Sequence, residues 1–156
     1  METNAARDQD YELWGLLDQA AHAMERARED ELRPIGLSMM HAAVLYIVKA
    51  GKGPVTPAQI SRWLFREPHS VSGLLQRMEK QGLVKRAKDL ERKNAIRVTL
   101  TEQGEEAYRR SREMKPIHRI MSHLSPKERD SLTAHLKTLR DKALEEHRRG
   151  PRWSFL

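Results

Sequence analysis

The chain has 156 residues, enough for one domain with a real core, yet only 38% of them are hydrophobic and 33% are charged. A monomeric sphere of that composition would have a thin interior, and helices that bury one face against a partner chain fit it better. There is no cysteine, which excludes disulfides, thiolate metal sites and cysteine-based peroxide sensing and suits a reducing cytoplasm.

The first thirty residues hold no apolar signal core, and no run approaches the ~18 apolar residues of a membrane span, so neither secretion nor membrane insertion is expected. The net charge of +7 is uneven. Residues 1–33 hold nine acidic and four basic side chains, residues 34–104 five and twelve, and residues 105–156 eight and thirteen. A basic middle is what neutralising nucleic-acid phosphates requires.

In chain order, Asp10 to Leu32 reads as a long first helix with Leu13, Leu17, Ala20, Met24 and Ala27 on one stripe, ended by Pro34-Ile35-Gly36. Ser38 is the N-cap of a second helix whose apolar face is Met40, Val44, Ile47 and Val48, and Gly51-Lys52-Gly53-Pro54 breaks it. Thr56-Pro57-Ala58-Gln59 forms a capping box for a third helix, to about Phe65, that buries Ile60, Leu64 and Trp63.

Pro68 opens the fourth helix and Gly82 closes it. Leu83–Ala87 and Ala95–Leu100 are two short strands, and Thr101 caps a fifth helix, bent near Pro116. Ser125-Pro126-Lys127-Glu128 is a second capping box, and the helix it opens carries Leu132, Leu136, Leu139 and Ala143 at coiled-coil spacing before Gly150-Pro151 stops it. The terminal stretches 1–8 and 150–156 are expected to be mobile.

The most informative segment is PHSVSGLLQRMEKQGLVKRAKDLERKNAIRVTLTEQG, from Pro68 to Gly104. Its helix buries Val71, Leu74, Leu75 and Met78. The opposite face carries His69, Ser70, Ser72, Gln76 and Arg77, which are small or hydrogen-bonding groups rather than a solvating run of Glu and Lys. A helix that lies in a DNA major groove and touches base edges needs such a face. The following turn adds a cationic contact, with Lys88, Arg92 and Lys93 at its tip, whereas Arg86 is placed to brace the wing or touch the DNA backbone. The fold expected is mainly α with a small β wing: a winged helix-turn-helix DNA-binding lobe, residues 38–104, joined to a helical dimerisation region, residues 1–37 and 105–156.

The order of elements, VSGLLQRMEKQGLVKR followed by the charged turn and IRVTLTEQG, resembles the MarR family of winged helix-turn-helix regulators over nearly the whole chain. The best match runs from Val71 to Gly104, including Glu79, Gly82, Leu83 and Val84 at the hinge and Leu100-Thr101 followed by Gly104. The resemblance implies a homodimer with an intertwined helical base and one winged lobe per chain. It further implies a regulator, usually a repressor, whose DNA affinity often changes when a small molecule binds between base and lobe; with no cysteine and no signal or spanning segment, a cytoplasmic location is expected. Asp89-Leu90-Glu91-Arg92-Lys93-Asn94 departs from the family wing, its acidic residue one place early and Asn in the last basic position.

For such an effector, expected to be aromatic or amphipathic, the candidate contacts are His22, Met39, Met40 and Tyr46, where the first, second and fifth helices converge. Trp14, Met24 and Trp63 are further apolar candidates. No cofactor or metal is expected: the seven histidines match neither HExxH nor a Cys/His cluster, and His118 and His123, five apart, do not share a helix face. No P-loop, GxSxG, GxGxxG or paired-carboxylate motif appears, which leaves a small enzyme as a distant alternative. The nearer one is a non-specific DNA-packaging protein without effector.

Overall fold

Four helix starts are set by side chains that reach back to the backbone of their own first turn. The Ser38 hydroxyl accepts from the His41 N–H at 3.2 Å, while the Ser38 N–H donates to His41 Nδ1 at 3.3 Å. Thr56 and Gln59 exchange the same pair of bonds, as do Ser125 and Glu128. Thr101 Oγ1 accepts from the Gly104 N–H at 2.9 Å. Each cap contributes about 1 kcal/mol by pairing amides that the helix itself leaves open.

The computed structural model describes residues 4–88 and 95–149. Helices α1 (Asn4–Leu32), α2 (Met39–Ala50), α3 (Pro57–Leu64) and α4 (Pro68–Lys80) lead into a hairpin of β1 (Val84–Lys88) and β2 (Ile96–Leu100), and α5 (Glu102–Ser111), α6 (Lys115–Met121) and α7 (Pro126–Arg149) follow. The hairpin is antiparallel, with Val84 opposite Leu100 and Lys88 opposite Ile96. Val98 also pairs with Val55, its N–H donating to the Val55 carbonyl at 2.8 Å, so the loop before α3 adds a third edge.

Helix α1 starts at Asn4 rather than Asp10. The expected fifth helix is two. It stops at Ser111, ahead of Pro116, and restarts at Lys115 after Met114 adopts a left-handed φ of 46°. Proline then occupies the first turn of α6, where its missing N–H costs nothing.

The core lies where α2, α3, α4 and the hairpin meet. Val44, Leu45, Ile60, Val71, Leu75 and Met78 are almost wholly buried there, together with Val84 and Val98. Leu45 was not expected inside; α2 packs against α1, α3, α5 and β2 at once, so its buried arc exceeds one stripe.

Trp63 corrects the opposite way, being 65% exposed. The buried arc of α3 is centred on Ile60, Leu64 and Ser61, which pushes Trp63 to the rim. Ser61 is needed inside because its hydroxyl donates to the Arg66 carbonyl and holds the turn to α4. That turn contains Phe65 at φ 50°, a left-handed conformation costing a non-glycine residue roughly 1–2 kcal/mol.

Gly104 is a second point of close approach: a Cβ there would sit 2.0 Å from the Leu83 carbonyl oxygen. Helix α5 can therefore start directly against the end of the α4–β1 hinge. α7 makes no extensive contact with any other described element.

Candidate nucleic-acid interface

Burial of Val71, Leu74, Leu75 and Met78 fixes which way α4 faces. At 100° per residue the outermost positions are His69, Gly73, Gln76 and Lys80, with Ser72 on one flank and Ser70 and Arg77 on the other. His69, Ser70, Ser72, Gln76 and Arg77 are all exposed. Sequence reading missed Gly73 and Lys80 as members of this stripe. Helical phase alone identifies both, and at Gly73 an added Cβ would meet only Arg77 Nη1, at 3.6 Å. The glycine is therefore not demanded by packing; it leaves the middle of the outward face flat.

The wing is locked to this helix. Arg86 on β1 donates to Glu79 on α4 through Nε at 3.0 Å and Nη2 at 2.7 Å, and the Arg86 N–H adds a third bond at 2.9 Å. These bonds from Arg86 hold the Glu79 carboxyl below the usual carboxylate range. Arg86 thus braces helix against hairpin. The pairing puts Arg86 and Lys88 on one face of the hairpin and Lys85 and Arg97 on the other. Lys88, Lys85 and Arg97 are exposed. Arg92 and Lys93 lie outside the described residues.

In the first turn of α2, His41 is half-buried. Burial first, and then the Arg77 charge, holds its imidazole below the ordinary value of 6.5. A neutral ring is what the α2 cap requires, since its Nδ1 accepts from the Ser38 N–H.

Of the four effector candidates, Tyr46 lines an open cleft among the described residues. His22 is exposed on α1, its Nδ1 3.0 Å from the Asp18 carbonyl. Met39 and Met40 are half-buried against the core. Tyr46, 42% exposed, lies beneath the Arg112 guanidinium of the α5–α6 joint, 5.7 Å from its ring centre. It lines an open cleft of about 570 Å³ together with Gly51–Val55, Gln59, Arg62 and Trp63. Trp63, displaced from the core, thus reappears beside Tyr46.

The terminal helices carry an apolar surface that the protomer leaves bare. Leu13, Trp14 and Leu16 are 54–63% exposed, and Leu132, Leu136 and Leu139 are 38–49% exposed. Arg28 ties α1 to the joint, donating to the Ser111 carbonyl and pairing with Glu31, whose other oxygen accepts from the Lys115 N–H at 2.8 Å.

Comparison with known proteins bears on this geometry. A model of the MarR family matches residues 35–93. The uncharacterized HTH-type transcriptional regulator YwoH of Bacillus subtilis (strain 168) is 28% identical over 92 residues, which are 59% of this chain and 66% of that relative's length. The organohalide-sensing RdhR-CbdbA1625 transcriptional regulator, solved in its 2,4-dichlorophenol-bound form, is 32% identical over 87% of this chain and 82% of its own, with a TM-score of 0.77. A cysteine-to-serine mutant of MarR from E. coli, complexed with operator DNA, shares the fold at a TM-score of 0.76 and 19% identity, covering 85% of this chain and 96% of that one.

Proposed function

The chain belongs to the MarR family of winged-helix DNA-binding transcription regulators, and on that premise we propose that it is a homodimeric repressor of a pseudo-palindromic operator. In this reading residues 38–104 bind DNA and residues 1–37 and 105–156 dimerise. The observation that carries it is the outward face of α4, with His69, Ser70, Ser72, Gln76 and Arg77 exposed beside a cationic wing and no Glu among them. Gln76 suits an adenine edge and Arg77 a guanine or a phosphate, while Lys88, Arg92 and Lys93 suit the backbone and the minor groove. Pairing the bare stripes of α1 and α7 with a second copy sets two α4 helices about one DNA turn, ~34 Å, apart.

Selection of bound duplexes from a random pool tests this directly. Enrichment of two half-sites about 10 base pairs apart is expected, and an unenriched pool would leave only non-specific packaging. Gln76→Ala and Arg77→Ala should each relax preference at particular bases at a cost of about 1–3 kcal/mol. Arg92→Ala should weaken all duplexes alike and lower the salt slope by about one.

Release by a small aromatic effector is the regulatory part of the proposal. Two observations favour it: the Tyr46–Trp63 cleft, and the relative's structures with and without 2,4-dichlorophenol. The site lies at the α2–α3 end of the lobe, with Tyr46 under Arg112. Chlorophenols and aromatic acids that raise the melting temperature should also release DNA, and stabilisation with DNA affinity unchanged would refute the switch.

A further inference from the structure

Phe65 occupies the position after α3 where a left-handed residue closes the helix, with φ 50° and ψ 42°. Glycine is the residue such a cap favours, because it has no Cβ to strain. The turn does not use the phenyl ring. Its bonds come from the Phe65 N–H to the Arg62 carbonyl at 3.3 Å and the Arg66 N–H to the Ser61 carbonyl at 3.1 Å. The Ser61 hydroxyl, bound to the Arg66 carbonyl, completes it. Nor does the core use the ring, which is 66% exposed. A strained backbone holding a bare aromatic contributes little to folding, and such outliers cluster at binding sites.

Its surroundings indicate what the ring meets. Arg62 stands three residues before it and Arg66 directly after it, both exposed, and neither forms an ion pair among the described residues. Phe65 stands three residues before Pro68, the first residue of α4, and four before His69 on its outward face. In a helix-turn-helix it is the first turn of this helix that approaches base edges. An exposed apolar ring next to that turn, on a segment that also carries two cations without ion pairs among the described residues, matches a thymine C5-methyl group inside the major groove with phosphates nearby.

We propose that Phe65 is a specificity-determining residue, packing on a thymine methyl at the outer edge of each half-site while Arg66 binds the adjoining phosphate. The inference rests on the DNA-binding reading above and adds to it a contact supplied by the turn rather than by α4.

The experiment compares wild type with Phe65→Gly. Glycine suits the left-handed turn, so the variant should melt no lower than wild type and keep the same mass by light scattering. Random-pool selection with wild type should enrich thymine at the outermost half-site position, and the same selection with Phe65→Gly should not. Replacing that thymine by deoxyuridine should weaken wild type about fourfold per methyl and leave the variant unchanged. Arg66→Gln should weaken all duplexes alike.

A Phe65→Gly protein that melts lower, dissociates, or selects the same outer thymine with the same deoxyuridine penalty overturns the proposal. So does a wild-type site without thymine at that position. If wild type itself enriches nothing, the broader reading fails instead, and the two failures are distinguishable.

Discussion

The middle of the chain and its two ends solve the burial problem in different ways. Among the described residues from Leu32 to Val98 the protein encloses fourteen apolar side chains, each less than a tenth exposed. The long helices at either end place Leu13, Leu16, Leu132, Leu136 and Leu139 in the open. Charge does not follow the same division: residues 1–33 are net acidic, whereas residues 34–104 and 105–156 are both net basic. The lesson is that an apolar stripe carries no information about which chain will cover it. Within the lobe five short elements converge around one centre, whereas α1 of 29 residues and α7 of 24 outrun anything in the protomer that could pack along them.

The largest expected effect tests the ends. If the proposed homodimer holds, Leu136→Asp should convert a species of about twice the 18.1 kDa chain mass into monomer or unfold it, because a charge placed in its dry helix seam costs several kcal/mol, about 3–5 when nothing pairs it. Wild type that scatters as a monomer at micromolar concentration would remove the contrast. Next comes the lobe. Gly104→Ala forces a Cβ into the Leu83 carbonyl and should destabilise by about 3 kcal/mol, read from the urea midpoint. The dimer mass should persist just below that midpoint; loss of mass together with the lobe would show that the regions are not separable.

Their connection is the third test. Arg28→Ala leaves the Ser111 carbonyl without its side-chain donor and strips Glu31 of its ion pair at the joint, leaving it the Lys115 N–H alone among these bonds, and should cost about 1–3 kcal/mol. A selective loss of hydrogen-exchange protection at the end of α1 and the start of α6 is the expected signature.

A smaller effect belongs to His41. Its folded-state pKa lies below the unfolded value of 6.5, so the unfolded chain takes up the proton first as pH falls. Its contribution is therefore complete above pH 6.5 and lost as pH drops through and below that value. The midpoint at pH 5.5 should fall more for wild type than for His41→Asn, which retains a capping acceptor; parallel losses would show that His41 does not titrate against the α2 cap. The smallest effect is Gly73→Ala, which should stabilise α4 by up to ~1 kcal/mol and weaken DNA binding if the helix backbone approaches the bases closely. Tighter binding would show that the flat middle of α4 has no role there.

Local chemistry is what the sequence alone determined. Ser38, Thr56 with Gln59, Thr101, and Ser125 with Glu128 announce four helix starts, because a cap is a bond within three residues. The period of Val71, Leu74, Leu75 and Met78 likewise orients α4 and hence the candidate DNA-reading face. Tertiary structure decided everything that depends on which element lies opposite. Leu45 goes inside because α2 has several neighbours, and Trp63 stays outside because Ser61 takes its share of the α3 arc. The fifth helix breaks at Met114, ahead of its proline, beside the joint that Arg28 and Glu31 of α1 hold. Phe65 stands in the turn with its backbone bonded and its ring bare. Periodicity measures the direction of a side chain about its own helix axis, and only packing supplies what waits in that direction.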